Sequence, residues 1–246
     1  MEVAALRPPI NVQPEEYLRL LGYPRDYLLG GRALELANGA RDWYRKHGRP
    51  WMYAREASSL ALGHSTFLIN RVEFSGARLR KTLETANATS VVVAAVGAGA
   101  ELEAEAQRLW LEEKPDEYFF LEVYGSAVVE HLVAVIGAQL CAIAEGEGRA
   151  VLPHYSPGYP EWQINEQAKL LSVLTDSVTL PGCLEVMESG MLRPKKSLLA
   201  VFGVTKEADR VRSLADLNPC TGCALPNCQY RRVAYRRPRS RVLAEI

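Results

Sequence analysis

Two apolar segments of different character limit the fold of this chain more than any other feature. Ser126–Ile143 is apolar on almost every side of a helix, which is typical of a helix buried at the centre of a domain. Ser90–Val96 is rich in β-branched residues and predicts a buried strand. The longest apolar runs, Val91–Ala100 and Leu132–Ala138, are shorter than the roughly 20 residues of a membrane-spanning helix. We therefore expect no membrane partner.

Weaker helical and strand patterns surround these two segments. Helices are predicted at Glu15–Leu21, Asp26–Lys46, Glu101–Glu113 and Glu161–Leu174, and from a Ser75 cap through Ala86. Strands are predicted at Phe67–Phe74, and at Leu184–Met187 and Ser197–Val204 as a hairpin around the turn at 193–196. This irregular alternation favours a mixed α+β fold over a doubly wound parallel sheet. We expect an α+β domain over 1–209, followed by a cysteine cluster and an arginine-rich tail over 210–246.

The charge balance limits the partners that the chain attracts. Lys and Arg together number 29, as do Asp and Glu, so the zero net charge argues against nucleic acid as a partner. Basic residues cluster only near the end, at Arg231, Arg232, Arg236, Arg237, Arg239 and Arg241. They form either a solvated tail or a docking strip for an acidic partner or a nucleic acid.

A group of cysteines is the strongest metal signal. The first residues lack the basic start and apolar centre of a signal peptide, so we expect a cytoplasmic protein with thiols rather than disulfides. Cys220, Cys223 and Cys228 form a C-x2-C-x4-C array, in which two thiolates can hold one metal from a single turn. Cys183 is the predicted fourth ligand, because Cys141 lies in the predicted buried helix. The array fits a [4Fe-4S] cluster, zinc or free thiols.

Two further motifs have both a structural and a functional interpretation. Val96–Glu103 follows a predicted strand and contains Gly97 and Gly99, but it lacks the third glycine of a dinucleotide-binding fingerprint. A tight strand-to-helix turn is the better interpretation. Glu130 and His131 lie on the apolar helix, where they form either a buried hydrogen-bonded pair or an acid and a base that project into a ligand cleft.

The segment Pro153–Pro160 is stiffer than an ordinary connection. It contains three prolines, which fix the backbone before anything binds, and Gly158, which permits close approach of a ligand. The amides at the start of the following helix suit a carboxylate, and a tyrosine ring can stack on a purine or attract a sulfonium cation. The segment predicts a pocket for a zwitterionic aromatic ligand, or else a rigid turn that packs its tyrosines on the core.

These motifs resemble a known family. SPGYPEW (Ser156–Trp162), the downstream Gln167 and ESGMLRPKKSLLAVFG (Glu188–Gly203) are similar to the S-adenosylmethionine-binding activation domain of cobalamin-dependent methionine synthase. Tyr17–Pro24 and Tyr124–Leu132 resemble segments of its free-standing relatives. The resemblance implies a curved, C-shaped α+β fold with a mixed or antiparallel sheet and flanking helices.

The resemblance also implies a set of ligand-binding residues. They are the loop residues His154, Tyr155, Ser156, Pro157, Gly158 and Tyr159, together with Glu130 on the helix that faces the cleft and Phe202 on a strand. Where the family has an arginine at the start of the loop, this chain has His154, whose neutral imidazole would hold a carboxylate less firmly. Further departures lie at Leu192, Leu198, Leu199 and Ala200.

The implied function is that of an accessory protein. It would bind S-adenosylmethionine and support the reductive methylation of cobalamin on a separate corrinoid protein or a truncated methionine synthase, because the chain lacks the corrinoid-binding D-x-H-x-x-G signature. The chain would contribute positioning, and an iron–sulfur cluster or another electron donor would supply the electron. The alternative is a non-catalytic iron–sulfur or zinc module that has kept the fold and no longer binds S-adenosylmethionine.

Overall fold

The structure, a computed structural model, describes residues 1–24 and 27–213. Its helices are α1 (Pro14–Leu20), α2 (Gly31–His47), α3 (Ala77–Thr85), α4 (Ala100–Leu111), α5 (Pro115–Gly146), α6 (Gln167–Thr175) and α7 (Ala208–Ser213). Its strands are β1 (Glu2–Leu6), β2 (Trp51–Glu56), β3 (Leu60–Leu62), β4 (Phe67–Ile69), β5 (Val72–Phe74), β6 (Ala88–Gly97), β7 (Ala150–Val151), β8 (Glu185–Val186), β9 (Leu192–Arg193) and β10 (Ser197–Thr205).

The main sheet is antiparallel and has five strands in the order β1-β2-β6-β10-β7. β6 and β10 pair over almost their whole length, from Ser197 opposite Gly97 to Thr205 opposite Ala88. β7 pairs with Val204 and Thr205 of β10, and within residues 1–24 and 27–213 no other regular strand pairs with the outer side of β10. The predicted α+β fold with a curved antiparallel sheet and flanking helices is confirmed.

Side chains alternate between two cores, one on each face of the sheet. Val92, Ala94 and Val96 of β6 pack in a core formed with α1, α2, α4 and α5, whereas Val91, Val93 and Ala95 pack in a second core with α3, α6 and the β3–β5 sheet. Because both faces are covered, β6 is apolar and buried without interruption from Val91 to Gly97, as the sequence predicts for a buried strand.

α5 is the central helix of the first core, and it is longer than predicted. Pro115 begins it, at a position where a missing N–H costs no hydrogen bond. Phe120–Val128 is buried except for the half-buried Glu122, but from Val129 onward the buried residues lie along one side, and Cys141 is exposed. Its length and composition would suit a membrane span. A buried core helix meets the same criterion, and α5 packs against the sheet, α2 and α4.

Several local predictions are wrong. The hairpin between Leu184–Met187 and Ser197–Val204 does not form, because β8 pairs with β9 while β10 pairs with β6. Phe67–Phe74 is two strands, which reverse at residues 70 and 71 with positive φ angles. Ser75 does not cap α3, and its backbone N–H instead donates to Glu166 Oε2 at 3.0 Å. The helix predicted at Glu161–Leu174 begins later, with a 3-10 turn at Ile164–Glu166 that leads into α6.

Candidate functional site

The loop after β7 continues along the outer side of β10. Leu152 donates its N–H to the Gly203 carbonyl at 2.8 Å. Tyr155 and Val201 exchange two backbone hydrogen bonds of 2.9 and 2.8 Å, which form an isolated antiparallel bridge. The chain at 152–155 therefore acts as an extension of β7, and it fixes the position of the loop relative to the sheet.

Beyond Tyr155 the loop folds back on itself. The Tyr159 N–H donates to the Ser156 carbonyl at 3.0 Å, and the Gly158 N–H donates to the Trp162 carbonyl at 2.9 Å. Gly158 has a φ of +93°, a conformation that side-chain-bearing residues rarely adopt. The N–H groups of Gly158 and Tyr159 are therefore already bonded within the loop, so a ligand would have to bind other groups there.

Tyr155 faces the second core. Its ring is buried and lies parallel to the Trp162 ring at 6.4 Å, and its hydroxyl donates to the Pro160 carbonyl at 2.7 Å. Trp162 in turn makes edge contacts with Phe67 at 5.9 Å and with Phe74 at 6.1 Å. These contacts hold the loop on the protein, and a direct role of Tyr155 in ligand binding stays a prediction.

Glu166 fixes the same part of the loop through its carboxylate. It accepts hydrogen bonds from Trp162 Nε1 at 2.7 Å, from the Ser75 N–H at 3.0 Å and from Lys169 Nζ at 2.9 Å. Burial raises the pKa of this carboxyl, but the three hydrogen bonds and the Lys169 charge outweigh it and lower the pKa below its ordinary value. Glu166 is a positioning residue that the sequence analysis missed.

The opposite side of the loop faces α5. His154 Nε2 lies 3.3 Å from the Tyr159 hydroxyl, and the His154 ring lies 5.8 Å from that of Phe202 on β10. A Cβ placed on Gly137 of α5 would lie 3.5 Å from Phe202 Cε1, so the helix flank also reaches this ring. The structure thus brings together three of the predicted residues, His154, Tyr159 and Phe202.

Glu130 lies on the same flank of α5. It is one turn beyond Ser126, whose hydroxyl accepts a hydrogen bond from Lys196 at the start of β10 at 3.0 Å, and two turns before Gly137. We refer to the region formed by His154, Tyr159, Phe202, Glu130 and Gly137 as the α5–β10 surface. His131 lies on a different side of the helix, where its Nε2 accepts a hydrogen bond from the Asn11 N–H at 3.3 Å.

Ser156 is one of three residues in the described part of the chain with a buried polar side-chain atom that lacks a hydrogen-bond partner; the others are Glu101 and Ser197, and of the three Ser156 lies in this loop. Its side chain is 3% exposed, and its hydroxyl has no hydrogen-bond partner there. A buried hydroxyl without a partner costs roughly 1–3 kcal/mol, so such a group is expected to meet a ligand or a water molecule. Beside it Gly158 is exposed, and the nearest atom to a Cβ placed there is 3.7 Å away on Ile164.

A lysine pair closes the end of the α5–β10 surface at the start of β10. Lys195 and Lys196 lie 3.2 and 3.1 Å from the carboxylate oxygens of Glu122. Burial lowers the pKa of Lys195, but the Glu122 carboxylate outweighs it and the pKa is raised. The single Glu122 carboxylate is therefore shared by both lysines. Sequence spacing alone does not indicate this contact between distant segments.

The predicted metal ligands are not brought together in the described part of the chain. Cys220, Cys223 and Cys228 lie outside the described residues, so their metal prediction is untested. Cys183 is exposed in the loop between α6 and β8. Cys141 is exposed on α5, which corrects the expectation that it is buried. Within 1–24 and 27–213, no three His, Cys, Asp or Glu side chains lie close enough to hold a metal ion.

Comparison with known proteins adds a structural relation. No family model and no curated protein matches the chain. Among solved structures, the crystal structure of the MetH reactivation domain bound to AdoHcy (S-adenosylhomocysteine) matches it with a TM-score of 0.56 and 14% sequence identity. The match covers 85% of this chain and 78% of that one. The chain therefore has the fold of the MetH reactivation domain, as the sequence motifs predict.

Proposed function

We propose that the chain binds S-adenosylmethionine against the loop Pro153–Pro160 and the α5–β10 surface. The observation that carries this proposal is the buried hydroxyl of Ser156, which lacks a partner among the described residues in a loop locked onto β10. The AdoHcy bound to the protein of similar fold supports the same ligand class.

The side chains available at this position suit the parts of such a ligand. The Tyr159 ring can contact an adenine or a sulfonium centre, and Glu130 can pair with an ammonium group. Ser156 and His154 can donate hydrogen bonds to a carboxylate or a ribose. S-adenosylmethionine supplies an electrophilic methyl group, and the protein supplies its orientation.

We further propose that the methyl acceptor is a corrinoid on a separate protein. The corrinoid, once reduced by one electron, would supply the cobalt that accepts the methyl group of the sulfonium, and S-adenosylhomocysteine would be the product that leaves this chain. The electron would come from a donor protein or from an iron–sulfur cluster at Cys220, Cys223 and Cys228. The chain would take part by presenting the methyl donor rather than by acid–base chemistry.

Calorimetric titration of the full chain with S-adenosylmethionine and S-adenosylhomocysteine tests the binding step. We expect both to bind, and Ser156→Ala to weaken binding about ten-fold, because a hydrogen bond to a charged group is worth about 1.5–3 kcal/mol. Ser65→Ala is the matched control, since Ser65 is an exposed serine far from this loop in sequence. A correctly folded protein that binds neither compound at millimolar concentration would contradict the proposal.

Metal analysis separates the proposal from the alternative of a metal module without the ligand. The chain is purified without oxygen, and its iron, sulfide and zinc contents and absorption spectrum are measured. Metal in a protein that binds no S-adenosylmethionine would support the module. A metal-free protein that binds S-adenosylmethionine would support a separate electron donor.

A further inference from the structure

A second concave region lies beside the N-terminal segment, away from the α5–β10 surface. A cavity of about 550 Å³ opens between the segment Arg7–Pro14, the C-terminal end of α2 and Tyr124 of α5. We call it the arginine–tyrosine cavity. None of the residues that define the α5–β10 surface lines it. Its volume falls within the range of roughly 300–1,000 Å³ that is typical of small-molecule sites.

The walls of the arginine–tyrosine cavity are rigid. Tyr44 and Tyr124 lie at its base with ring centroids 5.6 Å apart, and the Tyr44 hydroxyl donates to the Ala98 carbonyl at 2.6 Å. Pro8, Pro9, Pro14 and Pro50 also line it. Because these groups are already fixed, a ligand would enter a preformed, partly apolar site.

The charged side chains that line this cavity are all positive. They are Arg7, Arg41, Arg45 and Lys46, and no described Asp or Glu is among the lining residues. Arg45 pairs with Asp42 at 3.1 Å. Within 1–24 and 27–213, Arg7, Arg41 and Lys46 form no ion pair with a carboxylate. Three positive charges around one concavity attract an anion.

Backbone geometry places one of these charges at the rim. Arg7 has a φ of +51°, which is uncommon for a residue with a side chain, and its N–H donates to the Pro50 carbonyl at 2.8 Å. Arg41 lies deeper and half-buried, and it lines the cavity together with Tyr124. Positive groups thus stand at the rim and near the base of the same cavity.

We propose that the arginine–tyrosine cavity binds a small organic phosphate. Arg7, Arg41 and Lys46 would hold the phosphate group. Its two negative charges balance the three positive charges better than the single charge of a carboxylate would. Guanidinium groups also match phosphate oxygens with paired hydrogen bonds. The proline and tyrosine surfaces would contact the non-polar part of the ligand.

Titration of the full chain with phenyl phosphate, inorganic phosphate and benzoate at low salt tests this proposal. We expect phenyl phosphate to bind most tightly, because it uses both the charged and the apolar walls. Arg7→Gln and Lys46→Gln should each weaken its binding about ten-fold, as expected for one charge-assisted hydrogen bond. Arg71→Gln and Lys81→Gln are matched controls, since Arg71 is also exposed with a positive φ of 70° and Lys81 is an exposed lysine.

Several results would overturn the proposal. These are no binding of phenyl phosphate at millimolar concentration, equal affinity for benzoate, or affinity that Arg7→Gln and Lys46→Gln leave unchanged. Binding of heparin without binding of phenyl phosphate would assign the charges to an acidic macromolecule instead. S-adenosylmethionine titration of the same two variants keeps the two sites distinct, because their affinity for that ligand should match the unmodified protein.

Discussion

The two sides of the loop Pro153–Pro160 have different surroundings. Tyr155 is buried against Trp162 in the second core, whereas the neighbouring His154 faces α5 and contacts Tyr159 and Phe202. Adjacent residues point to opposite faces because the chain is extended where it pairs with Val201. One side therefore fixes the loop, and the other is the side on which we propose that the ligand binds.

The largest expected difference between the two sides is in stability. Tyr155→Ala should lower the free energy of unfolding by about 3–5 kcal/mol, because it removes a buried aromatic ring. His154→Ala should lower it by about 1 kcal/mol or less, because the imidazole is only half-buried. Urea denaturation followed by circular dichroism measures both. Equal losses would show that the two sides are not distinct.

A smaller loss is expected at the carboxylate that holds the loop. Glu166→Gln should lower the free energy of unfolding by about 1.5–3 kcal/mol, because charged hydrogen bonds to Trp162 and Ser75 become weaker. Glu161→Gln is the matched control, since Glu161 is exposed in the same loop. The same denaturation experiment applies, and similar values for the two variants would argue against Glu166 as a positioning residue.

The proposed ligand-binding side can be tested by placing at position 154 the arginine found in the family that this sequence resembles. His154→Arg should strengthen S-adenosylmethionine binding about ten-fold, because a guanidinium can bind a carboxylate through two hydrogen bonds. It should change the free energy of unfolding little. Calorimetry measures the affinity, and an unchanged or weaker affinity would show that His154 does not face the carboxylate.

The smallest effect is a dependence on pH. The Glu166 pKa is lowered in the folded protein, so its contribution to stability is complete above its ordinary pKa of 4.5 and is lost as the pH falls through the lowered value. The difference in free energy of unfolding between the unmodified protein and Glu166→Gln should therefore be constant above about pH 5.5 and shrink below pH 4.5. Urea denaturation from pH 7 to pH 3 measures this difference. A difference that grows on acidification would contradict a lowered pKa of Glu166 in the folded protein.

Sequence patterns predict the parts of the fold that are buried on every side. β6 from Val91 to Gly97 and α5 from Phe120 to Val128 are covered by other elements, and their residues are nearly all apolar and buried. β2 was not predicted, and β10 was assigned the wrong partner, because strand order depends on contacts between distant segments. The turn before Ser197 is real, but it connects β9 to β10 rather than forming a hairpin.

The candidate site was predictable only in part for the same reason. The prolines and Gly158 indicate a stiff loop locally, and the resemblance to a family indicates Glu130 and Phe202. Nothing local indicates that Ser75 and Glu166 meet, or that Lys196 contacts Ser126. These partners come from separate elements and are joined by burial. The contacts of Glu166 with Ser75 and Trp162 therefore cannot be predicted from the sequence before the fold is known.

The short length of β7 has a consequence for solubility. An uncovered strand edge can pair with the edge of another molecule and lead to aggregation. β7 protects only two residues of β10, and the loop that follows it continues the protection as far as Val201. Pro153, Pro157 and Pro160 lack the N–H groups that an incoming strand would use. The stiff loop therefore also blocks pairing of another strand with the edge of β10. Shortening the loop would expose that edge and favour self-association of the protein.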